Sequence, residues 1–158
     1  MSNLRFVSYG GTDLQFADNE FDIVISRYAL HHFPDIHKSI SEVSRVIKSG
    51  GYFFVSDPAP NDNDFERFID AYMQLKKDGH IRFYTKNEWE CICGKYGFML
   101  NKSFDSLIRF PKKRDTAYGF NELVRRYDKN IIKGYMLKIS GNEIYVTEQV
   151  NNLLFGKR

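Results

Sequence analysis

The sequence predicts an α/β domain on a largely parallel sheet, and three observations carry that reading. A strand, a helix and a second strand follow one another between Phe21 and Val55 with short joints, the pattern of a right-handed crossover unit. The run Phe21–Ser26 places three β-branched residues in succession, as in a strand covered on both faces. The chain has 158 residues, 42% of them hydrophobic and 16% aromatic, enough for one compact core. No repeat, low-complexity stretch or linker interrupts it, so residues 1–158 are expected to form a single domain.

In order, Leu4 to Ser8 has the composition of a short strand ended by Tyr9-Gly10-Gly11, and Asp18-Asn19-Glu20 is a turn before the strand at Phe21. Asp35 is placed to cap a helix whose apolar face is Ile36, Ile40, Val43 and Ile47, with Gly50-Gly51 as its stop. Tyr52 to Val55 is a buried strand closed by Ser56-Asp57-Pro58. A second helix is expected over Asp64 to Lys77, with Phe65, Phe68, Ile69, Tyr72 and Leu75 inward and Gly79 beyond it. Thr85 and Glu88 form a capping box before a helix carrying Trp89, Ile92 and Tyr96. Phe98 to Phe110 contains a strand, Thr116 to Tyr127 is expected to be helical, Asn130 to Ile139 fits either state, and Glu143 to Phe155 reads as a long final strand.

Composition narrows the function. A net charge of +3 with scattered basic residues does not make a nucleic-acid surface, and the one dense cluster, Lys112-Lys113-Arg114, reads as a solvated loop. No apolar run reaches the ~20 residues of a membrane span and no signal-peptide pattern opens the chain, so the expected location is cytoplasmic. Cys91 and Cys93 are too few for a disulfide framework and lack further ligands at zinc spacing; packing is their expected role, and no metal site is expected.

In open parallel sheets ligands bind beyond the carboxyl ends of the strands. Here those ends carry Tyr9-Gly10-Gly11, Ser26 to His32, and Asp57-Pro58. Around them, Arg5-Phe6, Leu14-Gln15-Phe16, Phe21-Asp22-Ile23-Val24, Ala29-Leu30-His31-His32-Phe33 and Glu42 to Gly51 (Glu-Val-Ser-Arg-Val-Ile-Lys-Ser-Gly-Gly) occur in an order and spacing similar to the class I S-adenosylmethionine-dependent methyltransferases. The resemblance is specifically to the ubiquinone/menaquinone-biosynthesis-like group. It extends through Gly79 to Thr85, Glu88-Trp89 and Tyr96-Gly97-Phe98, and is thin beyond.

The resemblance implies a Rossmann-like methyltransferase fold with a mostly parallel sheet, an antiparallel C-terminal strand and strand order 3-2-1-4-5-7-6. It also implies S-adenosyl-L-methionine as cofactor and a small-molecule methyl acceptor. The family's opening strand, Gly-x-Gly-x-Gly turn and acidic ribose-binding residue have no counterpart in these residues, so the fold is expected to be N-terminally truncated relative to the family. The polar residue usual near adenine is likewise replaced at Tyr9-Gly10-Gly11.

By position, Gly10, Gly11, Ser26 and Arg27 are the candidate cofactor-binding residues. His31 and His32 are the candidate catalytic residues, as a base or as orienters of the acceptor; the competing reading gives one a turn-capping role and the other a packing role. Asp57, His80, Arg82 and Tyr84 are the candidate substrate residues, the last three on a segment that reads equally as a partly mobile lid or a solvated loop.

The rival to the enzyme is a truncated or degenerate relative without activity, acting as a binding or partner protein. The implied strand order leaves the strand at Ile23-Val24-Ile25 with an open edge and one bare face. Three repairs are then expected as alternatives: the Leu4 strand moves over to it, a second copy pairs with it as a homo-oligomer, or another chain supplies the missing N-terminal unit.

Overall fold

A computed structural model of the protein describes residues 3–10, 12–76, 78–114 and 119–158. Strand β1, Phe21–Arg27, runs parallel to β2, Ile47–Ala59, through the crossover helix α1, Ile36–Val46. Helices α2, Phe68–Gln74, and α3, Lys86–Gly94, precede β3, Phe98–Lys113. Helices α4, Phe120–Arg126, and α5, Lys129–Gly134, precede the hairpin of β4, Lys138–Ser140, and β5, Glu143–Lys157. The sheet order is β1-β2-β5-β3, with β4 paired to β5. β5 is antiparallel to each of its neighbours, so β1, β2, β3 and β4 share one direction and the C-terminal strand opposes them. This is the 4-5-7-6 half of the order the sequence implied.

Local chemistry explains most boundaries. The Asp35 carboxylate accepts from Lys38 N and starts α1. Thr85 and Glu88 close a reciprocal capping box on α3. Arg45 then ties the extended segment ahead of β1 to α1, donating to the carbonyls of Leu14 and Phe16 and to Asp18 and Glu42, each at 2.8 Å.

The interior has two apolar clusters. One packs α1 and α3 on the sheet through Ile40, Val43, Phe53, Val55, Trp89, Leu153 and Phe155. The other gathers α2, α4 and α5 over the early part of β5 through Phe68, Tyr72, Phe83, Tyr135, Ile144 and Val146.

Several expectations are corrected. Leu4 to Ser8 forms no strand of the sheet, and Leu4 and Phe6 are largely exposed. The relocated-strand repair is therefore not taken. The Phe21–Ser26 run is covered on one face only, because Val24 packs on the core while Ile23 and Ile25 are exposed. Helix α1 stops at Val46, before the glycines. Gly50 and Gly51 lie within β2, where φ is +77° at Gly50 and an added Cβ at Gly51 would come within 2.8 Å of the Asp22 carbonyl. β2 does not close at Ser56 but continues through Pro58 to Ala59. The helix expected from Asp64 begins at Phe68, since the Asp64 carboxylate accepts from the N–H groups of Phe68 and Ile69 and holds the preceding turn; Phe65 points to solvent. The helix expected from Thr116 begins at Phe120, and residues 115–118 lie outside the described residues. Lys112 is buried in β3 rather than lying in a solvated loop. Cys93 is buried and Cys91 exposed, both as free thiols.

Candidate functional site

At the end of β1 the chain leaves the sheet abruptly. Tyr28 adopts φ +50°, unusual for a residue with a Cβ, and donates its N–H to the Ser56 carbonyl at 2.9 Å. A single 3-10 turn, Leu30–His32, follows and directs His31 inward over the next residue of β2, Asp57. The Asp57 carboxylate accepts twice from His31, from the backbone N–H at 3.1 Å and from Nδ1 at 2.6 Å, with both side chains buried. An ionised carboxylate only accepts, so the shared proton belongs to Nδ1 and the neutral ring keeps its lone pair on Nε2. A braced imidazole of this form can take a proton from a nearby group.

A second carboxylate–imidazole pair stands against the first. Asp70, in α2, accepts at 2.8 Å from His80 Nε2 and at 2.8 Å from the N–H of Phe83. The rings of His31 and His80 are 5.5 Å apart, those of His31 and His32 4.1 Å apart, and Phe83 packs edge-on against both His31 and His80. The His31 carbonyl in turn accepts from the N–H groups of Ile81 and Arg82, at 2.9 and 3.2 Å. Residues 80–83 thus form a strap anchored at both ends to the histidine turn and to α2. Outside it, Glu88 is gripped by Arg67 and Arg82.

Charge continues beneath this cluster. Glu148 of β5 is buried, and desolvation raises its carboxyl although Lys112, Lys76, His31 and His80 pull it down. Lys112 lies over the Tyr72 ring at 4.1 Å, and burial pushes its ammonium down to about 7 despite the attraction of Glu148. Five buried polar atoms find no partner among the described residues: His32 Nδ1, His80 Nδ1, Tyr72 Oη, Trp89 Nε1 and Thr147 Oγ1.

The structure therefore brings His31, His32, Asp57 and His80 into one cluster. Tyr84 borders it, its ring 5.0 Å from Trp89 and its carbonyl accepting from Asn151. Arg82 turns outward to Glu88. The cofactor candidates stand apart from the cluster. Ser26 is half-buried near the end of β1, and the Arg27 guanidinium lies over the Tyr28 ring at 4.6 Å. Gly10 is exposed, with open space where a Cβ would be, and Gly11 lies outside the described residues.

The sequence reading passes over Asp70 and Glu148, and places Lys112 in a solvated loop. Asp70 had a signal, as the one charge in Phe68-Ile69-Asp70-Ala71-Tyr72-Met73. Glu148 had one too, since at spacing two it shares a strand face with the buried Val146 and Val150.

For S-adenosylmethionine, the described candidate residues offer two polar side chains. Ser26 and Arg27 place a hydroxyl and a guanidinium at the carboxyl end of β1, where strand-end ligands sit. No close backbone approach of the kind a glycine cradle provides accompanies them at Gly10. Among the described residues no His, Cys, Asp and Glu grouping could hold a metal ion, and no helix is long and apolar enough to cross a membrane.

The chain is similar to known methyltransferases in part of its sequence and in its fold. A methyltransferase domain family matches residues 2–55. The uncharacterized methyltransferase YcgJ of Bacillus subtilis is 37% identical over 93 residues, covering 58% of this chain and 37% of that protein. The fatty-acid O-methyltransferase of Mycolicibacterium smegmatis is 34% identical over 86 residues, covering 52% of this chain and 31% of that protein. The match thus spans about a third of the length of these curated relatives. Among solved structures, a Bacillus halodurans protein described as a methyltransferase superposes with a TM-score of 0.85 at 20% identity, covering 98% of this chain and 78% of its own. The YcgJ structure superposes at 0.80 and 24% identity, covering 99% and 72%.

Proposed function

We propose that the chain belongs to the class I S-adenosylmethionine-dependent methyltransferases and takes part in methyl transfer to a small-molecule acceptor, a reading supported by the methyltransferase family match, the relatives and the shared fold. The observation that carries the reading is the Asp57–His31 pair, placed where β1 parts from β2 and closed over by the strap from His80 to Phe83. When bound, S-adenosylmethionine supplies an electrophilic methyl group. Ser26 and Arg27, with Gly10 and Gly11, are the residues proposed to meet it.

The chain's own contribution lies on the acceptor side. Asp57 holds His31 in the tautomer that accepts a proton at Nε2, and His32 lies against it. His80 and Tyr84 border the place an acceptor would take, and Arg82, locked to Glu88, holds the strap down. Burial of these groups excludes water and strengthens each polar contact.

An open edge on β1 favours a partner. β1 pairs with β2 on one side and with nothing described on the other, while Ile23 and Ile25 are bare. We infer that a second copy, or a chain bearing a strand, turn and helix, completes the sheet there.

Titration calorimetry with S-adenosylhomocysteine tests the reading. Binding in the micromolar-to-millimolar range by the 158-residue chain is expected from a one-sided contact. An absence of heat up to millimolar ligand would shift the assignment to a partner protein without activity.

A further inference from the structure

An open cleft that the histidine cluster does not use lies beyond the end of β2. Its volume is about 440 Å³, and it is bounded by the start of α3, by β3 and by the loop after β2. The lining is partly buried. Ala59 ends β2 and Pro60 follows it, and Asn151 of β5 stands opposite Asp57 in the ladder. The Asn151 amide donates to the Tyr84 carbonyl at 3.2 Å, and its own oxygen has no partner among the described residues.

The loop on one side of the cleft is fixed in place. The buried Asp64 carboxylate accepts from the N–H groups of Phe68 and Ile69 and from the Tyr135 hydroxyl, and that hydroxyl accepts from the Asn61 N–H. Asp62 and Phe65, on either side of these anchors, line the cleft, and Phe65 is 88% exposed. A bare ring on a loop held this firmly is a preset platform, whose ordering costs nothing further when a ligand lies on it.

The polar groups around the platform are of mixed kind. Asp62 and Asp105 accept, Asn87 and Gln149 both donate and accept, and none of these four side chains has a partner among the described residues. Their charge is close to balance. Lys86, whose ammonium donates to Ser103 Oγ at 2.8 Å, and the positive start of α3 oppose the two carboxylates. Such a cleft does not select an ion. It suits an uncharged ligand with several hydroxyls at its rim and an apolar face to lie on Phe65, which is the pattern of a pyranose ring.

We propose that this cleft binds a neutral pyranose, with Phe65 as its platform and Asp105, Asn87 and Gln149 as partners for its hydroxyls. The proposal goes beyond the methyl-transfer reading and needs neither cofactor nor histidine for its test.

NMR of the nitrogen-15-labelled 158-residue chain, read at the side-chain amides of Asn87, Gln149 and Asn151, tests it. The probes are the methyl glycosides of glucose, galactose and mannose. Cyclohexanol, benzylamine and benzoate are the apolar, cationic and anionic controls. At least one glycoside is expected to displace these signals saturably in the millimolar range, with little dependence on salt because it carries no charge. Phe65→Ala and Asp105→Asn should each weaken that binding roughly five- to tenfold. Both residues are exposed, so the rest of the spectrum should stay in place in either variant. No saturable displacement by any of the three glycosides, a control that displaces the same signals as strongly, or undiminished affinity in Phe65→Ala would each overturn the proposal. Failure to bind S-adenosylhomocysteine would leave all of these outcomes readable.

Discussion

The Asp57 carboxylate meets His31 through both of its oxygens, one on the ring at 2.6 Å and one on the backbone N–H at 3.1 Å. A single side chain of β2 therefore sets both the path of the histidine turn and the tautomer of its ring. Asp57→Asn keeps the shape but turns an acceptor into a mixed group. We predict a stability loss of about 1–3 kcal/mol in urea denaturation, the cost of mispairing a buried donor. In a catalytically complete form, turnover should fall by about 10²-fold or more with cofactor affinity nearly unchanged. Parallel losses in affinity and turnover would assign Asp57 a purely structural role.

Glu88 predicts the acid limb of stability. Burial alone would raise its carboxyl, but the Thr85 N–H, Arg67 and Arg82 outweigh that and hold it below its usual 4.5. A carboxyl lowered in the fold stabilises above its unfolded value, and that stabilisation is lost as pH falls through the folded value. Glu88→Gln should flatten the dependence of unfolding free energy on pH below about 5, by a modest amount because the group is partly solvated. An unchanged acid limb in denaturation curves from pH 3 to 6, with roughly those limits set by the carboxylate range, would argue against the Arg67–Glu88–Arg82 clamp.

Lys112 predicts the opposite limb. Burial lowers its ammonium from 10.5 to about 7. Between those values the unfolded chain binds the proton and the folded chain does not, so stability should rise with pH through that window. Glu148, raised by burial, works in the other sense, losing stability as pH climbs from 4.5 through its folded value. Lys112→Met should remove that rise and flatten the pH dependence of unfolding free energy between about 7 and 10.5. Destabilisation at every pH would mean that the ammonium is needed by the fold.

The sheet edge predicts association. Ile25 is 64% exposed on a strand that, among the described residues, is paired on one side only. Light scattering should show concentration-dependent growth for the unmodified chain and a marked reduction for Ile25→Lys. A monomer at high concentration in both cases would remove the second-copy version of the partner.

The sequence made the starts of α1 and α3 legible because each has a local cause, Asp35 for the first and the Thr85–Glu88 box for the second. It misplaced Leu4 to Ser8 because strand composition is not strand pairing, and the partner on which pairing depends is a non-local fact. It ended β2 at Ser56 because Ser-Asp-Pro has turn chemistry, whereas Asn152, Asn151 and Val150 from nearly a hundred residues away extend the ladder past it. His31, His32, Asp57 and His80 were visible as residue types at strand ends or within the family pattern. Their joining, through Asp70 in a short apolar helix, depended on α2 folding over the end of the sheet.

Pro58 gives this arrangement a further consequence. The Ser56 carbonyl points toward β1, where it receives the Tyr28 N–H, so two residues on Pro58 faces the same side. There β1 has already departed, and a proline has no N–H to leave stranded. A visiting strand that extended β1's line along β2 would find no donor at that rung. The proline thus acts as a selvage on the sheet, ending at that rung any strand added along the open edge farther down.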